Sequence, residues 1–234
     1  IRDPEMSRGL GDVYKRQSKH SALSFRHFVL GTVAIFIYVG VEVGIPNFAN
    51  LFMTSPEINI DPTIAGSVVG TYWFLMMIGR LCGASIGAKV SSRAMLTVVS
   101  TVGIVLVLGA IFCADNILVN MPVFKSDISF GFAQVPVNVM LLILCGLCTS
   151  VMWGGIFNLA VEGLGKYTAA ASGLFMVMVC GGGILPLIQG GVADFAGFLN
   201  SYWVIALGLA YILFYAAIGS KNVNTDIPTD DYEA

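Results

Sequence analysis

The chain has 234 residues, of which 56% are hydrophobic and 11% charged, with a net charge of −2 and a mean hydropathy of +0.83. Soluble domains carry about 25% charged residues, so a water-soluble core is excluded and a polytopic helical membrane protein is expected. The near-neutral charge leaves no electrostatic footprint for nucleic acid. Five cysteines, all in apolar runs, argue against a disulfide framework.

The start of the chain does not match the rest. Residues 1–17 are polar and lack an apolar period, and Gly11-Asp-Val-Tyr-Lys-Arg-Gln17 resembles translated adapter sequence. A non-native leader is therefore expected over 1–17, with the true N-terminal part of the protein missing. Six apolar segments follow over 18–220, at about His27–Met53, Thr63–Ala88, Ala94–Ala114, Val137–Leu164, Ala169–Ala196 and Tyr202–Ile218. Asp61-Pro62 is a helix start signal for the second. The stretch between the third and fourth, with Asn120, Lys125, Asp127 and Pro136, reads as a polar connection. The tail over 221–234 is acidic and patternless.

In the first segment, Glu42 is separated by roughly fifteen apolar and small residues from the preceding charge, Arg26. Inserting a carboxylate at mid-span costs on the order of 3 kcal/mol or more, so such a group faces a polar cavity, a partner or a transported solute. Gly40-x-x-x-Gly44 and Gly79-x-x-x-Gly83-x-x-x-Gly87 form small-residue stripes that let helices approach closely. Two segments look mechanically broken. The first has Gly44 and Pro46 beyond Glu42; the fifth has Gly181-Gly182-Gly183 followed by Pro186. Broken helices of this kind point to a transporter's solute site. Cys145-Gly-Leu-Cys148 has redox spacing, but inside a membrane helix it reads as packing.

Lys19, Arg26, Lys89, Arg93, Lys166 and Lys221 fall on one side of the six spans and Lys125 on the other. The positive-inside rule puts the former side, with both ends of the bundle, in the cytoplasm. Tyr202 and Trp203 are then expected at the outer interface. No P-loop, zinc spacing or nucleophile–base arrangement occurs, so no catalysis, metal or cofactor is expected.

The second segment, Gly70-Thr-Tyr-Trp-Phe-Leu-Met-Met-Ile-Gly79-Arg80, resembles the eighth helix of the fucose/glucose/galactose–proton symporters of the major facilitator superfamily. Ile156-Phe-Asn-Leu-Ala160, Gly163-Leu-Gly165, Gly181-Gly-Gly-Ile-Leu-Pro186-Leu-Ile-Gln189-Gly190 and Asp194-Phe-Ala-Gly197 resemble its tenth and eleventh helices. Tyr38-Val-Gly-Val-Glu42 resembles its seventh. The resemblance covers about Phe25 to Ser220 and implies the C-terminal six-helix half of a twelve-helix transporter in a bacterial inner membrane. Its partners would be a monosaccharide, protons, the lipid bilayer and a missing N-terminal half, with no nucleic acid. The sequence departs from the superfamily's loop signature: Lys89 and Arg93 follow Gly83 without an acidic partner.

On this reading Glu42 accepts hydrogen bonds from sugar hydroxyls, ahead of carrying a proton. Asn47, Asn50, Asn158 and Gln189 are candidate amide contacts. Trp153 offers a stacking face, with Tyr72 and Trp73 as further aromatic candidates and Tyr38 positioned to orient Glu42 one turn away. Gly44, Pro46, Gly181, Gly182, Gly183 and Pro186 are candidate hinges, and Arg80, Lys89 and Glu162 candidate members of an inner gate. Rival readings are a facilitator-fold transporter of a non-sugar solute, a membrane sensor that has lost transport, and a half-size chain that dimerises.

Overall fold

The computed structural model describes residues 20–114, 116–125 and 127–229; the leader expected over 1–17 and the last residues of the tail lie outside the described residues. Six helical segments are long and apolar enough to cross a membrane. The first three are single helices: α1 (Arg26–Thr54), α2 (Pro62–Gly87) and α3 (Ser92–Phe112). The fourth consists of α4 (Val137–Thr149) and α5 (Met152–Val161). The fifth consists of α6 (Thr168–Val177), a 3-10 turn at Met178–Cys180, and α7 (Gly181–Ala196). The sixth is α8 (Phe198–Phe214), which ends in a π turn at Tyr215–Gly219.

Local chemistry sets the helix ends. Asp61 caps α2 by accepting the Thr63 N–H at 2.8 Å, a bond that holds this carboxyl below the usual carboxylate range. Ser91 caps α3 through the Ala94 N–H. Gly197, at φ +93°, supplies the left-handed turn between α7 and α8.

Helix α1 is the hub, packing against α2, α4, α5, α7 and α8. The glycine stripes account for the closest approaches. Gly40 lies against Leu185 of α7, and Gly44 against Gln189 of α7 and Ile205 of α8. Gly79 and Gly83 receive Ser150 and Val151, at the break between α4 and α5. Gly181 abuts the backbone of Phe36, so α1 and α7 meet main chain to main chain.

Two expected breaks are corrected. Helix α1 runs through Pro46 as one continuous helix, because neighbouring helices supply what the proline removes. The break in the fifth span falls at the 3-10 turn just before the glycines, not within them. A further break, at Ser150–Val151, was not legible as a proline or glycine signal.

The expected polar connection is instead a β-hairpin of β1 (Leu118–Phe124) and β2 (Phe130–Pro136), paired antiparallel from Leu118 opposite Pro136 to Phe124 opposite Phe130. Its odd positions Met121, Val123, Ala133 and Val135 are buried; its even positions are largely exposed. Lys125 N–H donates to Ser129 C=O, which makes the odd-numbered pairs the hydrogen-bonded ones. Pro122 and Pro136 thus sit where no N–H is needed in the ladder. The Phe124 N–H, at an outward position, donates to Thr71 Oγ1 of α2 at 2.9 Å, and the Phe124 ring stacks on Phe74 at 4.7 Å. Phe74 lies about 18 Å along α2 from its first turn, at 1.5 Å per residue. The hairpin therefore folds back along α2 rather than projecting away from the bundle.

The glycine contacts predict a contrast within one motif. Gly181→Val drives a side chain into the Phe36 backbone and should destabilise the bundle by about 1–3 kcal/mol. Gly183→Val meets nothing within 4 Å and should change stability far less. Thermal unfolding in detergent measures both; equal midpoints would disprove the main-chain contact.

Candidate functional site

The site is built around Pro46. A proline lacks the N–H that would bond the carbonyl four residues earlier, which here belongs to Glu42. The Tyr72 hydroxyl, from α2, donates to that Glu42 carbonyl at 3.1 Å. On the other side, the Tyr202 hydroxyl of α8 donates to the Ile45 carbonyl at 2.8 Å. Two tyrosines thus grip the α1 backbone around the proline. Tyr202 is fully buried in this role; Trp203 beside it is 43% exposed and packs edge-on to Phe112.

A hydroxyl chain extends from this point. Tyr72 also meets Thr149 Oγ1 at 3.1 Å, and Tyr38 donates to the Thr149 carbonyl at 3.1 Å, at the end of α4. Trp153 is half-buried between the rings of Tyr38 and Phe175, each 6.1 Å away. Tyr38, Glu42 and Pro46 share one stripe of α1 by their four-residue spacing. Thr149 was not singled out from the sequence, where only its hydroxyl in an apolar run marks it.

The Glu42 side chain is paired. Arg80 Nη2 donates to Glu42 Oε1 at 2.9 Å, with the Glu42 side chain 13% exposed and that of Arg80 56% exposed. The sequence assigns the two residues separate roles, Glu42 in solute contact at mid-span and Arg80 in an inner gate. The structure joins them because Arg80, two turns inside α2, has a side chain long enough to reach mid-span on α1. From Arg80 a cavity of about 360 Å³ runs along Gly83, Gly87 and Gly154 to Asn158 and Ser92. Asn158 Nδ2 lies 3.5 Å from Ser92 Oγ.

Other candidates fall elsewhere. Gln189 is sealed inside the bundle, against Gly44 and 3.4 Å from Ser201 Oγ, so its amide joins α1, α7 and α8 instead of facing the open side. Tyr38 and Tyr72 are fully buried, whereas Trp73 is 44% exposed and edge-on to Tyr72. Asn47 is exposed and Asn50 half-buried, on the C-terminal half of α1. Lys89 and Glu162 are exposed and form no salt bridge among the described residues; the Glu162 carbonyl bonds the buried His27 ring at 2.9 Å. The Cys145 and Cys148 thiols are buried and free, as packing residues are.

No protein-family model matches the chain. It is 32% identical over 203 residues to the glucose/galactose transporter of Brucella abortus, covering 86% of the chain and 44% of that protein. It is 32% identical over 212 residues to a putative glucose/galactose transporter of Helicobacter pylori, covering 88% and 47%. Crystal structures of the E. coli fucose:proton symporter FucP superpose with TM-scores of 0.70 and 0.71 at 22% identity, over 45% of that chain. The chain spans about half the length of the curated relatives it matches. Its fold is half of a major facilitator superfamily transporter. By sequence it is also similar, at 22% identity over 197 residues, to the L-fucose-proton symporter of Escherichia coli, covering 84% of the chain and 40% of that protein.

Tyr72→Phe leaves the Glu42 carbonyl without its donor and should cost about 1–3 kcal/mol. In a Pro46→Ala background the restored N–H can take that carbonyl, so the same change should cost clearly less. Unfolding measurements on the four proteins of this cycle check the coupling; additive losses would refute it.

Proposed function

We propose that the chain is the C-terminal half of a twelve-helix secondary transporter that imports a monosaccharide with protons by alternating access. Identity to glucose/galactose transporters along most of the chain supports the sugar. The name of an E. coli relative, an L-fucose-proton symporter, supports the coupling. The observation that carries the reading is the ion pair Glu42–Arg80, held at mid-span beside an open cavity.

In this mechanism Glu42 accepts sugar hydroxyls while Arg80, half exposed, moves between Glu42 and the incoming solute. Burying either charge alone in hydrocarbon is expensive, so the empty site keeps the pair closed. Trp153 supplies a flat apolar wall, and Tyr38 and Tyr72 hold the backbone that presents Glu42. Gly44, Pro46 and the segment from Met178 to Pro186 absorb the rocking of this half against its N-terminal counterpart. The Lys and Arg distribution supports a cytoplasmic location for both ends of this half, and bacterial relatives support an inner membrane.

The test is uptake of labelled glucose, galactose and fucose by the full-length protein in proteoliposomes, with external pH recorded. Sugar entry should alkalinise the medium. Glu42→Gln should lower uptake by roughly 10-fold or more, the loss of a hydrogen bond to a charged group, while membrane insertion stays normal. Unchanged uptake kinetics in that variant would remove Glu42 from the site.

A further inference from the structure

We propose that the β1–β2 hairpin walls an aromatic outer subsite on α2 that receives a neutral hexopyranose before it reaches Glu42; this rests on the sugar-transport reading above. The hairpin lies at the end of the bundle where α1 ends and α2 begins. Its tip packs at Phe74, about 18 Å along α2, and Glu42 lies about 18 Å from the outer end of α1. The hairpin thus reaches the depth of the ion pair. A two-stranded sheet has two free edges, and the ladder turns the main-chain groups of Asn120, Phe132 and Gln134 outward. Unpaired backbone groups at membrane depth are tolerated only against protein or a water-filled cavity. This side of α2 therefore faces away from lipid, toward protein or the aqueous pathway.

The hairpin also forms a groove. Between it and α2 lies a cavity of about 930 Å³ lined by Trp73, Phe74, Met77, Phe124, Lys125 and Phe130. Phe74, Phe124 and Phe130 form one ring cluster, with centroids 4.7–5.5 Å apart. The electron-rich faces of aromatic rings suit the C–H face of a pyranose. Ser67, Thr63 and the Lys125 ammonium line the same space and suit its hydroxyls. Mostly apolar walls with a few polar groups are the usual make-up of a small-molecule site.

The groove leads toward the ion pair along α2. Trp73, Met77 and Arg80 are spaced four and three residues apart, so they form one stripe of α2. A sugar leaving the groove along that stripe meets Arg80 and then Glu42.

The experiment uses the full-length protein in proteoliposomes, free of native cysteines and carrying Gly66→Cys. Gly66 lines the groove, and a side chain there meets nothing within 4 Å. A membrane-impermeant maleimide added outside should label this site, and saturating glucose should slow labelling at least about threefold. Phe130→Ala should raise the KM for glucose about fivefold, the loss of one aromatic contact, and change KM more than kcat. If the protein transports glucose but Gly66→Cys reacts only with a lipid-soluble maleimide, or labels equally fast with glucose, the subsite is overturned and the transport reading stands. If the unmodified protein takes up no sugar, both fall.

Discussion

One hydroxyl decides how this bundle can hold a carboxylate at mid-span. Pro46 strips the Glu42 carbonyl of its helical partner, and Tyr72 replaces it from the neighbouring helix. Inside a membrane no water is at hand to do the same, and an unsatisfied carbonyl costs several kcal/mol. Because the replacement comes from α2, the register between α1 and α2 is fixed at the point where Arg80 can reach the Glu42 side chain. The backbone bond and the ion pair are thus two consequences of one helix contact. Tyr202 adds a bond from α8 to the Ile45 carbonyl, so α1 is tied to two neighbouring helices beside its proline.

That arrangement separates two roles a proline can play. A kink used for packing needs only room for the ring. Here the freed carbonyl is captured by a side chain from another span, so any movement of α2 relative to α1 must exchange that partner. Thr149 stands ready nearby, touching the same Tyr72 hydroxyl and accepting from Tyr38 through its carbonyl. The break at Ser150–Val151 lies directly beyond it, pressed against Gly79 and Gly83. Hydroxyl exchange, helix break and glycine stripe meet in one layer of the molecule.

Hydropathy made the six spans legible, since each needs only a long apolar run, and family likeness made the half-transporter fold legible. The special position of Glu42 was legible too, because a charge in such a run has few tolerated surroundings. Its pairing with Arg80 was not: the two residues are far apart in sequence, and nothing local reports helix register. Gln189 misled for a related reason. Polarity marks a residue as needing a partner but does not say whether that partner is a solute, an interface or the next helix. The hairpin was hidden because Asn120, Lys125, Asp127 and its prolines read as loop chemistry, while its alternation rests on a few small apolar residues such as Ala133 and Val135.

The hairpin's prolines also govern how its length can vary. Pro122 and Pro136 occupy positions whose missing N–H would point away from the partner strand, and Met121 and Val123 occupy the alternate positions that face the helices. Adding or deleting one residue in β1 would reverse both assignments at once, placing a proline in the ladder and turning the buried methionine and valine outward. An insertion of two would preserve them. Changes in this segment therefore have a parity: even steps slide the strand, and odd steps dismantle it.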